Sequence, residues 1–206
     1  MHMMLMDSQY DHVISLGRGC QPAYQIRRIL GIETAYPFDW ILTTDLGLLA
    51  LIETRLDGFF SRDRLGVAKN GLIVDLPTET QFAHEFPTGT DFDSRYEMNA
   101  GRFEMLAHRW NELLSSKQRI LFVRQHAWIP DRRGSAQKLR AAIKRQAPAL
   151  AFTILYLTAA PEDEISWNEY GIINRQLTQL EPYEWQGDGA AWERLLGDAF
   201  ALRVQA

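Results

Sequence analysis

The strongest constraint on the fold is a pair of apolar runs joined by a helical pattern. Residues 119–123 and 152–157 are almost continuously apolar, which is typical of strands covered on both faces, as in a parallel sheet. Between them, residues 135–146 are basic and amphipathic with helical spacing. We expect this strand–helix–strand unit to be a right-handed crossover between two parallel strands.

The rest of the chain extends this α/β pattern. Residues 12–16 predict a further buried strand that stops at Gly17. Residues 65–92 hold short strand-like pieces among Gly and Pro, which predict a hairpin or long loops inserted between two helices. Because residues 1–206 show no linker, we predict one three-layer α/β domain, Rossmann-like or flavodoxin-like, with a mostly parallel sheet. Helical spacing predicts four more helices, at residues 22–30, 45–56, 93–114 and 192–204.

Composition argues against several classes of partner. The net charge is −4 over 206 residues, so we expect no nucleic-acid partner, because phosphate-backbone binders carry a strongly basic face. No apolar run is long enough to cross a bilayer, and the short apolar N-terminus lacks a signal-peptide pattern; we therefore expect no membrane partner and a cytoplasmic location. With a single cysteine and no side chains at metal-ligand spacing, we expect no metal and no other cofactor.

The single cysteine, Cys20, follows a glycine-rich turn at the start of a predicted helix. The turn lies at the carboxyl end of the first strand, where open α/β sheets bind their ligands. Unpaired N–H groups and the positive end of the helix dipole favour a thiolate there, so Cys20 is a candidate nucleophile. The alternative is that Cys20 is a small buried residue and the glycines only form a tight turn. The candidate substrate contacts in this turn are Gly17, Arg18, Gly19 and Gln21.

A nucleophilic cysteine needs a base within hydrogen-bonding distance, and the base needs an acceptor that orients it. His84 is the first candidate base because it lies in the irregular region, and loops often carry catalytic side chains. Strand-like alternation would place Phe82, His84 and Phe86 on one face. The alternative for His84 is a hydrogen-bonded core histidine. His126, which follows the second strand at its carboxyl end, is the reserve base and a candidate substrate contact.

Two carboxylates are candidate orienting groups for the base. Asp39 lies between two large aromatic residues, and Asp91 follows His84 in the irregular region. Either carboxylate could accept a hydrogen bond from the imidazole, although Asp39 could equally cap a turn. Trp40, next to Asp39, and Arg124, at the end of the second strand, are candidate substrate contacts.

Two motifs at a specific separation resemble a known family. Residues 15–20 carry the pattern S-L-G-x-x-C, and residues 37–41 read P-F-D-W-I. Over residues 12–126 the chain thereby resembles a family of unknown function whose members are classed as papain-like cysteine peptidases. The resemblance implies that Cys20 is the nucleophile and His84 the base. It also implies a papain-like α+β fold as an alternative to the Rossmann-like or flavodoxin-like arrangement.

Two functions of different classes fit these residues. The first is a cysteine-dependent hydrolase or acyltransferase acting on a peptide or small molecule, with backbone N–H groups of residues 19–21 holding the oxyanion. The second is a non-peptidase domain in which the turn of residues 17–19 and the helix N-terminus hold a phosphate or carboxylate, assisted by Arg18 and Arg124. Residue patterns alone leave both functions open, and they predict no oligomeric state.

Overall fold

The computed structural model describes residues 9–125, 132–158, 167–177 and 185–201. Its strands are, in chain order, β1 (His12–Ser15), β2 (Leu65–Val67), β3 (Ile73–Asp75), β4 (Thr80–Gln81), β5 (Arg119–Gln125), β6 (Ala151–Thr158), β7 (Asn168–Glu169) and β8 (Ile172–Gln176). Its helices are α1 (Gln21–Leu30), α2 (Asp45–Glu53), α3 (Phe92–Leu114), α4 (Arg132–Gln146) and α5 (Gly189–Ala201), with a 3₁₀-helix at Arg62–Arg64. Within the described residues, no helix has the length and apolar character needed to cross a membrane.

Five strands form one sheet in the order β1–β5–β6–β8–β7. The first four are parallel, and β7 runs antiparallel to β8 at one edge. Ser15 of β1 lies opposite Val123 of β5, which lies opposite Leu155 of β6. The carboxyl ends of these strands therefore lie next to one another at the same end of the sheet. The mostly parallel sheet predicted from the apolar runs is confirmed, and α4 connects β5 to β6 as expected.

Helices cover both faces of this sheet, because successive strand residues enter two different apolar clusters. On one face Val13, Leu121 and Leu155 pack with side chains of α1 and α5. On the other face Ile14 and Phe122 pack with side chains of α2, α3 and α4. The result is a helix–sheet–helix arrangement in three layers, which confirms the predicted α/β class.

A second, antiparallel sheet lies between α2 and α3 in the chain. Strands β2, β3 and β4 pair in that order, and Gln81 of β4 also pairs with Leu42. Asp75 is fully buried and accepts hydrogen bonds from Nε and Nη2 of Arg64 at 2.8 and 2.9 Å. This sheet occupies much of the predicted insertion at residues 65–92, and its bridge to Leu42 brings it beside the P-F-D-W-I motif.

The segment around His84 is not the strand that alternation predicted. Residues 82–86 form a turn in which the Phe86 amide donates to the Phe82 carbonyl at 3.2 Å. Phe82 and Phe86 are buried against aromatic rings of α3, whereas His84 is exposed. The prediction that these side chains share one face is wrong, because residues four apart, rather than two apart, share a face in a helix-like turn.

Toward the end of the chain, the observed elements differ from the sequence prediction. β8 was not predicted, since only Ile172 and Ile173 of its five residues are apolar. Helix α5 begins at Gly189, ahead of the predicted start at Trp192, and the predicted continuation over residues 202–204 lies outside the described residues. Trp192 is fully buried in the apolar cluster between α5 and the sheet.

Candidate active site

The turn between β1 and α1 requires glycine at its first position. Gly17 has a φ of +73°, and a Cβ there would lie 2.9 Å from the Phe38 carbonyl oxygen. Arg18 also has a positive φ, 86°, which residues with side chains rarely adopt. The Gly17 amide donates to Ser15 Oγ at 3.0 Å, and the Arg18 amide donates to Thr43 Oγ1 at 3.4 Å. Contacts with the loop after α1 therefore fix the conformation of this turn.

Gly17→Ala is expected to lower the free energy of unfolding by more than about 1 kcal/mol, because the new Cβ meets both an unfavourable φ and the Phe38 carbonyl. Denaturant unfolding measures the loss. Gly71→Ala is the matched control, since Gly71 has a φ of +81° but nothing within 4 Å of its Cβ position. Equal losses in the two variants would mean that the close approach of Phe38 contributes nothing.

Cys20 stands at the N-cap of α1, directly before the first helical turn. Its Sγ lies 3.0 Å from Nε2 of His84 and 3.8 Å from the carbonyl oxygen of Trp40. Cys20 is half-buried and His84 is exposed. The indole of Trp40 meets the imidazole edge-on, with 6.3 Å between the ring centroids. The structure therefore brings the candidate nucleophile and the first candidate base together.

The surroundings of Cys20 oppose ionisation of its thiol. Burial raises the pKa of the Cys20 thiol, and the nearby Glu85 carboxylate raises it further. The sequence-based expectation of a thiolate considered only the helix N-terminus, whereas burial acts in the opposite direction. The thiol therefore needs a neighbouring base to take its proton, and His84 Nε2 lies at hydrogen-bonding distance.

Asp39 stabilises the loop after α1. Its Oδ2 accepts hydrogen bonds from Arg27 at 2.6 Å and from the Tyr36 amide at 2.9 Å, and 4% of the residue is exposed. Burial raises the pKa of Asp39 to about 6, and the hydrogen bonds from Tyr36 and Arg27 only partly oppose this effect. Asp39 therefore links α1 to the P-F-D-W-I motif, as the turn-capping alternative predicted.

The stability of the fold is expected to fall as the pH rises from about 4 to about 6, because of Asp39. Its pKa in the folded chain, about 6, exceeds the ordinary value of 3.8, so the folded state binds more protons in this range. Asp39→Asn should remove this part of the pH dependence, measured as the free energy of unfolding at several pH values.

The matched control for this pH dependence is Asp11→Asn. The hydrogen bonds from Arg119 lower the pKa of Asp11 to about 2, so Asp11 affects stability with the opposite sign and only at lower pH. Asp11→Asn should therefore leave the slope between pH 4 and 6 unchanged. A slope that persists in Asp39→Asn would show that other groups cause it.

Asp91 and His126, the other predicted partners of the site, lie elsewhere or outside the described residues. Asp91 caps α3, and its Oδ2 accepts a hydrogen bond from the Ser94 amide at 2.8 Å. Neither Asp39 nor Asp91 is hydrogen bonded to His84. His126, the reserve base, falls in the part of the chain that is not described. The structure thus places no predicted orienting carboxylate on the imidazole.

Arg124 is a buried structural residue with no exposed surface. Its guanidinium donates five hydrogen bonds: two to Asp45 Oδ1, two to Thr43 and one to the Leu16 carbonyl. A guanidinium carries five N–H groups, so none remains for a ligand. The expectation that Arg124 contacts substrate does not fit this position. Arg124 instead ties the end of β5 to the end of β1 and the start of α2.

A comparison with protein families identifies the family of this chain. Residues 11–160 match the family described as putative papain-like cysteine peptidase (DUF1796). The chain belongs to this family. Searches of the curated proteins and of the solved structures gave no match. The family resemblance predicted from the two motifs is confirmed, and the matched range contains both Cys20 and His84.

A segment beyond the end of the family match lies against α1. Gln21 is buried; its Nε2 donates to the Trp185 carbonyl at 3.0 Å, and its Oε1 accepts from Gln125 at 3.0 Å. The rings of Tyr24 and Trp185 meet edge-on, 5.0 Å apart. Gln21 therefore holds Trp185 against α1, and the expectation that its side chain contacts substrate does not fit these bonds.

The remaining predicted substrate contacts of this papain-like chain surround Cys20. Arg18 and Gly19 are half-buried residues of the turn, Gly17 is buried, and Trp40 is half-buried beside the sulfur. The amides of Gly19 and Cys20 donate to no acceptor within the described residues. Among the described residues these two backbone donors have no acceptor, so they are available as donors to an oxyanion.

Sequence reasoning missed Glu85, the neighbour of His84. Glu85 is 1% exposed; its Oε1 lies 3.3 Å from Arg102, and its Oε2 has no hydrogen-bond partner among the described residues. Burial raises the pKa of Glu85. An acidic residue next to a candidate base was the available sequence signal. In the described part of the chain, no group of three or more His, Cys, Asp or Glu residues could hold a metal ion.

Proposed function

We propose that this chain is a cysteine hydrolase in which Cys20 forms a covalent acyl intermediate and His84 is the general base. The observation that carries the proposal is the 3.0 Å separation of Cys20 Sγ and His84 Nε2. The two residues are 64 positions apart in the chain, so their approach is a property of the fold. Membership of the papain-like cysteine peptidase family supports the same class of reaction.

In the proposed first step, Cys20 Sγ attacks the substrate carbonyl carbon while His84 Nε2 takes the thiol proton. The carbonyl oxygen becomes an oxyanion, and the amides of Gly19 and Cys20 are the proposed donors to it. Collapse of this intermediate breaks the bond to the leaving group, which receives the proton from His84. A thioester remains on Cys20.

In the proposed second step, water attacks the thioester while His84 takes a proton from it. Breaking the carbon–sulfur bond releases the carboxylic acid product, and the proton on His84 returns to the Cys20 sulfur. One histidine thus carries out every proton transfer of the cycle. A peptide or small-molecule amide, ester or thioester is the class of substrate that this chemistry accepts.

The anion-binding alternative has less support from the same contacts. It required Arg18 and Arg124 to assist the turn in holding a phosphate or carboxylate. Arg124 is buried and donates all five of its hydrogen bonds within the protein. Arg18 is left as the sole cation of that proposed site, so we favour the hydrolase.

Incubation of the folded protein with p-nitrophenyl acetate tests the proposed function. We expect a burst of p-nitrophenol of about one equivalent, as an acyl-enzyme mechanism produces, and an acetyl group on Cys20 in peptide mass spectra. Cys20→Ala should show neither signal. Denatured protein serves as the reference for an ordinary thiol. Acetylation of Cys20 no faster in the folded than in the denatured protein would contradict the proposal.

A further inference from the structure

The backbone around His84 is held by a stripe of α3 side chains. Arg95, Asn99 and Arg102 stand at positions i, i+4 and i+7 of the helix, so they lie on one face. All three reach the segment of His84 and Glu85. These side chains contact the backbone carbonyls of the segment and the Glu85 carboxylate, not the imidazole.

Arg95 contacts two successive carbonyl groups of this segment. Its Nε donates to the Glu85 carbonyl at 2.7 Å, and its Nη2 donates to the His84 carbonyl at 3.4 Å. Asn99 Nδ2 lies 3.5 Å from the same Glu85 carbonyl and donates to the Arg95 carbonyl at 2.8 Å. One guanidinium therefore spans the peptide unit that follows the candidate base.

The Glu85 side chain anchors the same peptide from its other side. Its carboxyl group is enclosed, with 1% of the residue exposed, and Arg102 Nη2 lies 3.3 Å from Oε1. The flanking Phe82 and Phe86 are buried as well, whereas His84 itself is exposed. The exposed imidazole is thus carried by a backbone segment with buried side chains on both sides.

We propose that Arg95 is the positioning residue of the general base: by binding the carbonyls of His84 and Glu85, it keeps the imidazole at hydrogen-bonding distance from Cys20. The inference rests on the proposed function. A displacement of about 1 Å can cost about a hundredfold in rate, and no carboxylate among the described residues is hydrogen bonded to His84 to restore its orientation. Arg95 therefore orients the imidazole through its contacts with backbone carbonyls, whereas an orienting carboxylate would act by a hydrogen bond to the imidazole itself.

The test is a double-mutant cycle on the rate of Cys20 acetylation by p-nitrophenyl acetate. Arg95→Ala in the wild-type background should slow acetylation by about ten- to a hundredfold. In the His84→Ala background, the same substitution should have no further effect, because the base that Arg95 positions is absent. Arg95→Lys keeps one donor and should give an intermediate rate.

Arg109→Ala is the matched control, since Arg109 is also an arginine of α3 that donates to a backbone carbonyl, that of Ala35, at 2.6 Å. It should leave the acetylation rate unchanged. Thermal unfolding identifies any variant that fails to fold. If Arg95→Ala fails to fold, the cycle is measured with Arg95→Lys in the wild-type and His84→Ala backgrounds.

Each outcome of the cycle decides between the two proposals. If Arg95→Ala slows acetylation equally with and without His84, or has no effect in the wild type, the positioning role is overturned and the proposed function stands. If His84→Ala itself has no effect on acetylation, the proposed function fails, and the role of Arg95 fails with it. A loss that is confined to the background containing His84 supports both.

Discussion

Replacing His84 by alanine is expected to slow acetylation of Cys20 at neutral pH by about 10²- to 10⁴-fold, the usual contribution of a general base. Burial raises the pKa of the Cys20 thiol, so without His84 few molecules lose the proton. The rate in the variant should therefore keep rising with pH where the wild-type rate has levelled off. Stopped-flow release of p-nitrophenol over a range of pH measures both effects.

The matched control for His84→Ala is His108→Ala. His108 is an exposed histidine of α3 that lies 3.3 Å from Glu112 within the same helix. Its removal should leave the rate and the pH profile of acetylation unchanged. A wild-type rate in His84→Ala would show that the 3.0 Å contact with Cys20 has no catalytic consequence.

Replacing Arg124 by methionine is expected to lower the free energy of unfolding by about 3–5 kcal/mol, as when one partner of a buried ion pair is removed. Arg124 has no exposed surface, and the side chain of its partner Asp45 is 15% exposed. The substitution leaves the Asp45 carboxylate without this cation and the Leu16 and Thr43 carbonyls without donors. Denaturant unfolding followed by fluorescence and circular dichroism measures the loss.

A double variant separates the charge from the packing. Arg124→Met with Asp45→Asn should recover part of the lost stability, because the carboxylate charge that Arg124 neutralised is removed as well. The matched control is Arg119→Met on the same strand, which removes the exposed ion pair with Asp11 and should change stability little. Equal losses for the buried and the exposed arginine would contradict the structural role given to Arg124.

Much of the fold was predictable because local patterns report burial. Continuous apolar runs predicted β1, β5 and β6, and these strands are covered on both faces. Strand β8 escaped prediction because its last three residues are polar. Asn174 of β8 is fully buried nevertheless, owing to the position of this strand inside the sheet. A buried polar residue inside a strand does not contribute to the hydrophobic pattern by which strands are predicted.

The candidate site was predictable in part for the same reason. The glycine turn and Pro22 predicted a helix start at Cys20, and α1 begins directly after that residue. The role expected of Arg124 did not fit, because an arginine at the end of a strand looks alike in sequence whether it faces a ligand or an internal carboxylate. The direction in which His84 faces depends on the turn formed by residues 82–86. Because Phe82, His84 and Phe86 alternate as in a strand, the sequence pattern predicted the wrong face.

By itself, the sequence determined the α/β class, the place of Cys20 at a helix N-terminus and the family of the chain, because residue spacing, caps and motifs are local properties. Only the tertiary structure decided which base lies beside Cys20 and which side chains hold the backbone of His84. It also decided that the predicted carboxylates are not hydrogen bonded to His84. These outcomes depend on how α3 and the inserted sheet pack beside the parallel sheet. Contacts between residues 64 positions apart arise from the sum of many weak packing terms, which no local pattern records.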